Sequence, residues 1–196
     1  VAKDFLMATI ILTIMGMMLV YVFTFPKYDA RQPMAAVFAF VYAPMMLSYI
    51  YRTRMLENGI FIIWLVFIAS WVCDTCAYFF GVLFGKHKLA PVLSPKKSVE
   101  GAIGGVVGTA LLTVIYLSVF RVQMAIGTGQ IAVLAVISAI AAAISMVGDL
   151  TASAIKRNYD IKDYGNLIPG HGGILDRFDS MMITAPIIYY LAYFML

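Results

Sequence analysis

The sequence predicts an all-α polytopic integral membrane protein with about six transmembrane helices. Two observations lead to this fold class. Hydrophobic residues make up 63% of the 196 residues and charged residues only 12%, whereas soluble domains carry roughly 25% charged residues. Charge-free apolar runs long enough to cross a bilayer also recur along the chain. A soluble fold could not bury this much apolar surface, so we expect the chain to lie in a lipid bilayer.

Six apolar runs are the predicted spans, and short loops connect them. In chain order they cover residues 5–25, 33–51, 59–84, 101–120, 129–148 and 180–196, and the last is short for a span. Pro26 ends the first run, and Pro44 predicts a kink in the second, because proline lacks the N–H that a helix needs. Asp74 interrupts the third run. The short loops predict one transmembrane domain over residues 1–196.

The distribution of basic residues predicts the orientation of the spans. The loops after the first, third and fifth runs hold ten of the 14 lysines and arginines. Cytoplasmic loops carry an excess of these residues, so we expect these three loops to be cytoplasmic. The polar segments 85–100 and 149–179 then face the compartment that holds nucleotides. The sequence has no arm rich in lysine and arginine and no aromatic-basic repeat, so it does not resemble a nucleic-acid-binding module.

The segment 148–180 is the most polar part of the chain. It holds five of the ten acidic residues and lies between two membrane-type runs. Charged side chains beside lipid are costly and usually mark a substrate or ion site. The turn around residues 165–173 is rich in glycine, and backbone N–H groups of such turns can approach phosphate oxygens. A solvated cytoplasmic loop is the simpler interpretation, but this residue density disfavours it.

Two aspartates at the ends of this segment predict a metal site. Asp149 leaves the fifth run and Asp176 enters the sixth, so they meet if the loop folds back. Hard oxygen ligands of this kind suit Mg²⁺, which one or two carboxylates and substrate phosphates often hold. Asp179, three residues further, is a third candidate ligand. Zinc is disfavoured because only two histidines exist and neither belongs to an HExxH pair. His171 is either a site residue or a hydrogen-bonded loop residue.

Two features upstream add polar chemistry. An isolated aspartate within a span, such as Asp74, costs about 2.5–3.5 kcal/mol and must face a partner, a cation or a water-filled cavity. The loop 94–101 reads SPKKSVEG, and Ser98 is predicted to cap the next helix. A helix N-terminus beside Lys96 and Lys97 would bind phosphate well. The same lysines are equally typical of a cytoplasmic anchor pair.

The small residues of the third and fourth runs have structural interpretations. The fourth run opens with GAIGGVVG, which contains two overlapping GxxxG pairs. Glycines at this spacing let helices approach closely. Packing inside the chain is the favoured interpretation, and a homodimer is the alternative. Cys73 and Cys76 are interpreted as small apolar residues of a helix rather than as a redox or metal pair, because the chain has no second cysteine pair.

The segment 153–179 resembles the phosphatidate cytidylyltransferases (CDP-diacylglycerol synthases). Their motif, S-x-x-K-R-x4-K-D-x-G-x3-P-G-H-G-G-x-x-D-R-x-D, is matched throughout. The matching residues are Ser153, Lys156, Arg157, Lys162, Asp163, Gly165, Pro169, Gly170, His171, Gly172, Gly173, Asp176, Arg177 and Asp179. Two further blocks agree, namely Asp74 with the nearby residues 77, 78 and 81, and the loop 94–101. Ala152 departs from the pattern, because many members carry glutamate there.

The resemblance covers about residues 70–180 and implies a reaction. CTP and phosphatidate would give CDP-diacylglycerol and pyrophosphate, at a site facing the cytoplasm of a bacterial inner membrane. It implies a Mg²⁺ ion on Asp149 and Asp176, with a second cation left open, and no organic cofactor. The implied catalytic residues are Asp74, Lys97, Asp149, His171 and Asp176. The implied substrate-binding residues are Ser94, Lys96, Lys97, Ser98, Lys156, Arg157, Gly170, Gly172, Gly173 and Arg177.

The resemblance also implies how the chain is organised. Residues 1–58 would be motif-poor helices, residues 59–180 the catalytic portion and residues 181–196 the last span. Members of the family usually have additional N-terminal spans, so we expect the chain to lack these. The expected partners are CTP, phosphatidate and the lipid bilayer, without nucleic acid.

Two other functions stay open at the level of sequence. A CTP-dependent polyprenol kinase would share a CTP site but transfer the γ-phosphoryl group, so that its product is CDP rather than pyrophosphate. An ion or substrate transporter would also place aspartates near the membrane. The absence of an inverted repeat disfavours the transporter.

Overall fold

The computed structural model describes residues 2–165 and 172–195, and helices dominate it. The chain divides into two compact units, residues 1–45 and residues 46–196. Among the described residues, five helices are long and apolar enough to cross a membrane. They are Met7–Thr24, Arg31–Arg54, Gly59–Phe84, Val99–Met124 and Thr128–Asn158. The predicted class, an all-α polytopic integral membrane protein, is confirmed.

The first unit contains two helices. Helix α1 spans Ala2–Thr24 and helix α2 spans Arg31–Phe40. A π-helical turn at Val41–Met45 follows and contains Pro44. Proline cannot donate the regular helical hydrogen bond, so the backbone widens locally. The irregularity that Pro44 predicted therefore takes the form of a π turn.

The second unit contains the remaining helices and one small sheet. In chain order its elements are α3 Met46–Arg54, α4 Gly59–Phe67, a π turn Ile68–Val72, α5 Cys73–Phe84, β1 Lys88–Ala90, β2 Ser94–Ser98, α6 Val99–Met124, α7 Thr128–Asn158 and α8 Leu175–Met195. The sixth predicted run lies in α8. The strands β1 and β2 pair antiparallel as a hairpin, which the all-helical prediction did not include.

Apolar side chains of α4, α6, α7 and α8 form the core of the second unit. Leu65, Leu117, Leu134 and Ile188 are fully buried there. At one end of this core, the Tyr49 and Tyr190 hydroxyls lie 2.8 Å apart. These contacts join α3 to α8 and so hold the helix whose first turn carries Asp176.

Glycines of α6 let α5 approach its backbone closely. A Cβ at Gly105 would lie 2.9 Å from the Cys73 carbonyl oxygen, and a Cβ at Gly108 would lie 2.6 Å from the Cys76 sulfur. Both distances are too short for a real side chain, so α5 occupies the GxxxG seam. Packing inside the chain, the favoured interpretation of these glycines, is confirmed. Both cysteines are free thiols at this contact.

Substitution of Gly105 by alanine tests this packing. The added methyl group would press on the α5 backbone, which cannot move as a side-chain tip can. We expect Gly105→Ala to lower the free energy of unfolding by about 1–3 kcal/mol. The measurement is the apparent melting temperature in detergent.

Gly16→Ala in α1 is the matched control, because a Cβ there meets nothing within 4 Å. Alanine is the better helix former, so this variant should be as stable as the original or slightly more so. An equal effect of the two substitutions would contradict the close approach of α5 and α6.

Candidate active site

Asp74 lies near the start of α5, directly after the π turn Ile68–Val72. Its Oδ2 accepts a hydrogen bond from the Ser180 hydroxyl of α8 at 3.2 Å. It also interacts electrostatically with Lys97 and Asp149. The aspartate predicted to need a partner within its span therefore has three polar neighbours, from β2, α7 and α8.

Asp149 forms an ion pair with Lys97. Asp149 lies within α7, which continues to Asn158 before the polar loop begins. Lys97 lies on β2. The two side chains are only 23% and 25% exposed. The pair joins the hairpin to a membrane helix at the height of Asp74.

Asp176 is the hydrogen-bond centre of the polar loop. Its Oδ1 accepts from Lys156 Nζ at 2.9 Å, and its Oδ2 accepts from the Tyr164 and Gly173 N–H groups at 2.8 and 2.9 Å. Burial acts to raise the pKa of this carboxyl, but these hydrogen bonds and the Lys156 charge hold it below its ordinary value. Asp176 thus ties both ends of the loop to α7 and α8.

The glycine turn beside Asp176 requires glycine at one position. Gly172 has a φ of 79°, in the left-handed region that side chains disfavour. A Cβ there would also lie 3.1 Å from Asp176 Oδ2. Gly172 and Gly173 therefore lie at the Asp176 carboxylate, and the Gly173 N–H, predicted to approach phosphate, donates to Asp176 Oδ2 instead. The predicted site residues Gly170 and His171 lie outside the described residues.

Asp179 is buried one turn further along α8. Its Oδ1 accepts from the Ser180 N–H at 2.7 Å, and it interacts electrostatically with Asp149, Lys156 and Asp74. Three carboxylates from α5, α7 and α8 thus influence one another in one place. Asp149 and Asp176, predicted to meet, are each paired with a different lysine.

The donor chemistry of this cluster fits a hard divalent cation. Within residues 2–165 and 172–195, no group of three or more His, Cys, Asp or Glu side chains is arranged to hold a metal ion. Mg²⁺ needs only one or two protein carboxylates when phosphates supply further ligands. Mutually repelling carboxylates such as Asp149 and Asp179 meet that requirement.

Two cavities adjoin the cluster, and Asp74 lines both. The larger is about 640 Å³ and lies between α5, the hairpin, α6 and α7. Its charged and hydroxyl-bearing lining residues are Asp74, Tyr78, Lys88, Ser94, Lys96, Lys97, Ser98 and Asp149. The smaller, about 310 Å³, is lined by Trp71, Asp74, Thr75, Asp176, Arg177, Asp179 and Ser180. The first is rich in lysine and the second in carboxylates.

The predicted lysine loop forms part of the larger cavity. Ser98 is the N-cap of α6, and its hydroxyl accepts from the Gly101 N–H at 3.1 Å, so the predicted cap is confirmed. Lys96 and Ser94 line the cavity beside it. Arg157, also predicted to bind substrate, is exposed and lines neither of the two cavities.

Sequence reasoning missed Ser180 and Tyr164. Ser180 follows the aspartate motif directly, and its hydroxyl lies in reach of Asp74. The Tyr164 hydroxyl donates to the Ala152 carbonyl at 3.2 Å, and Lys156 Nζ lies 5.3 Å from its ring centre. Burial, with the negative charges of Asp176 and Asp179, raises the pKa of Tyr164. The sequence signal that could have identified Tyr164 is its position as an aromatic residue inside the polar segment 148–180.

Ala152, the departure from the family pattern, is fully buried. It faces neither of the two cavities. A small apolar side chain therefore packs inside the helical bundle at this position, one turn beyond Asp149.

Comparison with known proteins identifies the family. The sequence model of the cytidylyltransferase family matches residues 1–195. A phosphatidate cytidylyltransferase of Haemophilus influenzae is 37% identical over 191 residues, which cover 92% of this chain and 66% of that protein. A phosphatidate cytidylyltransferase of Bacillus subtilis is 40% identical over 154 residues, 78% of this chain and 55% of that protein. One of Staphylococcus saprophyticus is 41% identical over 140 residues, 71% and 51%.

These alignments cover between about half and two thirds of the relatives' length. The family match extends over nearly the whole of this chain, and the motif residues around Asp74, Lys97, Asp149 and Asp176 lie within it. The chain belongs to the cytidylyltransferase family.

Proposed function

We propose that the protein carrying this chain transfers the CMP group of CTP to phosphatidate, giving CDP-diacylglycerol and pyrophosphate in phospholipid biosynthesis. The observation that carries the proposal is the larger cavity, where Lys88, Lys96 and Lys97 face Asp74 and Asp149 among apolar helices. Such a site suits a reaction between a nucleotide from water and a lipid held in the bilayer. The three relatives named above are phosphatidate cytidylyltransferases, which agrees with this reaction.

The reaction needs positioning more than it needs a base. A phosphate oxygen of phosphatidate attacks the α-phosphorus of CTP, and the bond between the α-phosphorus and the bridging oxygen breaks. Pyrophosphate leaves with that electron pair. Because the attacking phosphate is already anionic, catalysis consists of alignment and charge neutralisation.

The lysines of the hairpin are proposed to neutralise phosphate charge. Lys97 is held by Asp149, so an arriving phosphate meets a lysine whose position is already set. Lys96 is adjacent and lines the same cavity. Arg177, which lines the smaller cavity with Asp74, is proposed to bind phosphate from the other side. Gly172 would add a backbone N–H group, together with Gly170 and His171 of the same motif. The Gly173 N–H would have to exchange its bond to Asp176 Oδ2 for one to phosphate.

A Mg²⁺ ion is proposed to be held by Asp149 and Asp176, with Asp179 as a third ligand. The electrostatic interaction of Asp179 with Asp149 supports a cation between α7 and α8. When bound, the metal would offset the charge of the departing pyrophosphate. Lys156 would then balance the charge of Asp176, whose carboxylate it contacts. A second cation and a homodimer stay predictions.

The chain is an integral membrane protein, and we propose a bacterial inner membrane as its location. The ten basic residues of the loops after the first, third and fifth runs support a site that opens toward the cytoplasm. Residues 59–180 are proposed as the catalytic portion of a single transmembrane domain.

The products of the reaction test the proposal. Purified protein with Mg²⁺, phosphatidate and CTP should form CDP-lipid and pyrophosphate in equal amounts, followed with CTP labelled separately in the cytosine and the γ-phosphate. Formation of CDP with a phosphorylated lipid would instead identify a lipid kinase. Uptake of a solute into proteoliposomes without turnover would identify a transporter.

Neutralising either proposed metal ligand tests the carboxylate site. Asp149→Asn and Asp176→Asn keep the side-chain shape but remove the charge, so each should lower turnover at least about a hundredfold. Both proteins should still insert into the membrane, as extraction and size-exclusion profiles will report.

Asp160→Asn is the matched control for these variants. Asp160 is exposed and has a φ of 53°, which asparagine tolerates. We expect its activity to stay near that of the original protein. Near-normal activity of both Asp149→Asn and Asp176→Asn would contradict the metal assignment.

A further inference from the structure

The hairpin of β1 and β2 carries most of the positive charge of the larger cavity. Lys88, Ser94, Lys96, Lys97 and Ser98 all belong to its two strands and line that cavity. A two-stranded hairpin alone is marginally stable in water. Its pairing here is also irregular, because the register shifts between the pair Lys88 and Ser98 and the pair Ala90 and Ser94. Contacts from outside the hairpin must therefore hold its lysines in place.

Glu100 supplies such contacts at the base of the hairpin. Its Oε2 accepts from the Lys86 and His87 N–H groups at 3.1 and 3.2 Å, and its Oε1 lies 2.6 Å from His87 Nδ1. The Val99 N–H donates to the His87 carbonyl at 2.9 Å beside it. One carboxylate in the first turn of α6 thus fastens the two residues that lead into β1.

Glu100 acts from outside the cavity. It is not one of the residues that line the lysine-rich cavity; with Leu83, Phe84, Gly85 and Lys86 it lines a separate shallow depression. From this place it contacts the backbone of Lys86 and His87, which lead into the hairpin, rather than a ligand among the lysines. Any influence on binding must therefore pass through the position of β1 and β2.

We propose that Glu100 is a positioning residue that holds the hairpin lysines where they bind the triphosphate of CTP. This deepens the proposed function and rests on it. Three lysines on one hairpin suit a polyphosphate better than a single lipid phosphate, because the charge of a triphosphate extends over several groups. The hairpin also lies between α5 and α6, on the loop predicted to face the aqueous compartment that supplies nucleotides.

Steady-state kinetics of Glu100→Ala test the role. Loss of the carboxylate should raise the KM for CTP about tenfold, the order expected when charge-assisted hydrogen bonds that fix a binding element are lost. The kcat and the KM for phosphatidate should change less than twofold. Glu100→Gln keeps one acceptor oxygen for the backbone N–H groups and should rescue part of the affinity. His87→Ala, which removes only the imidazole, should also give an intermediate KM.

Limited trypsin digestion without substrate measures the hairpin itself. Cleavage after Lys96 and Lys97 should be several times faster in Glu100→Ala, because local opening exposes the strands. Glu57→Ala removes the other glutamate of the chain, which is exposed in a different loop, and should change neither cleavage nor KM.

The two measurements separate the proposal from the function on which it rests. An original protein that forms no CDP-lipid would overturn the proposed function, while digestion would still decide whether Glu100 holds the hairpin. Unchanged digestion, a loss of kcat alone, or a rise in the KM for phosphatidate rather than CTP would overturn the positioning role. If Glu100→Ala does not fold, Glu100→Gln and His87→Ala carry the same comparison.

Discussion

A lysine and an aspartate that lie among apolar helices must stay together, because an unpaired charge in such surroundings costs several kcal/mol. Lys97 and Asp149 form such a pair, and each side chain is about three-quarters shielded from solvent. The pair joins a short hairpin to a helix of the bundle. Because the two strands alone would be only marginally stable, the place of the other cavity lysines depends on this contact and on the hydrogen bonds of Glu100 at the hairpin base.

The same constraint organises the other carboxylates of the site. Asp74 has Ser180 as its hydrogen-bond partner, and Asp176 has Lys156 with two backbone N–H groups. The contacts of Asp74 with Ser180 and of Asp176 with Lys156 and Tyr164 connect different parts of the chain, so satisfying the charges also brings α5, α7, α8 and the polar loop together. Asp179 adds a third carboxylate near Asp74 and Asp149. The proposed cation and phosphates would therefore meet lysines and carboxylates whose positions are already fixed by these contacts.

Much of this architecture could be predicted from residue patterns. The apolar runs predicted the helices, Ser98 predicted the start of α6, and the GxxxG glycines predicted a close helix contact. The hairpin could not be predicted, because its strands are short, rich in lysine and held by tertiary contacts such as that of Glu100 with His87. The π turn at Ile68–Val72 contains neither proline nor glycine, so no local signal indicated it. The lysine partners of Asp149 and Asp176 likewise depend on how distant segments fold together.

Cross-linking tests most directly whether the hairpin and α7 converge on one site. Lys97→Cys and Asp149→Cys would be combined in a protein whose Cys73 and Cys76 are replaced by alanine, then treated in the membrane with a short bis-maleimide. A bifunctional reagent is needed because a disulfide joins Cβ atoms only about 4 Å apart, whereas an ion pair through a long lysine side chain spans more. A control would pair Lys97→Cys with Glu57→Cys, which precedes α4 at the opposite end of the span 59–84. Rapid cross-linking of the first pair and none in the control is the expected result. No cross-link between positions 97 and 149, or equal cross-linking in both proteins, would contradict a shared site.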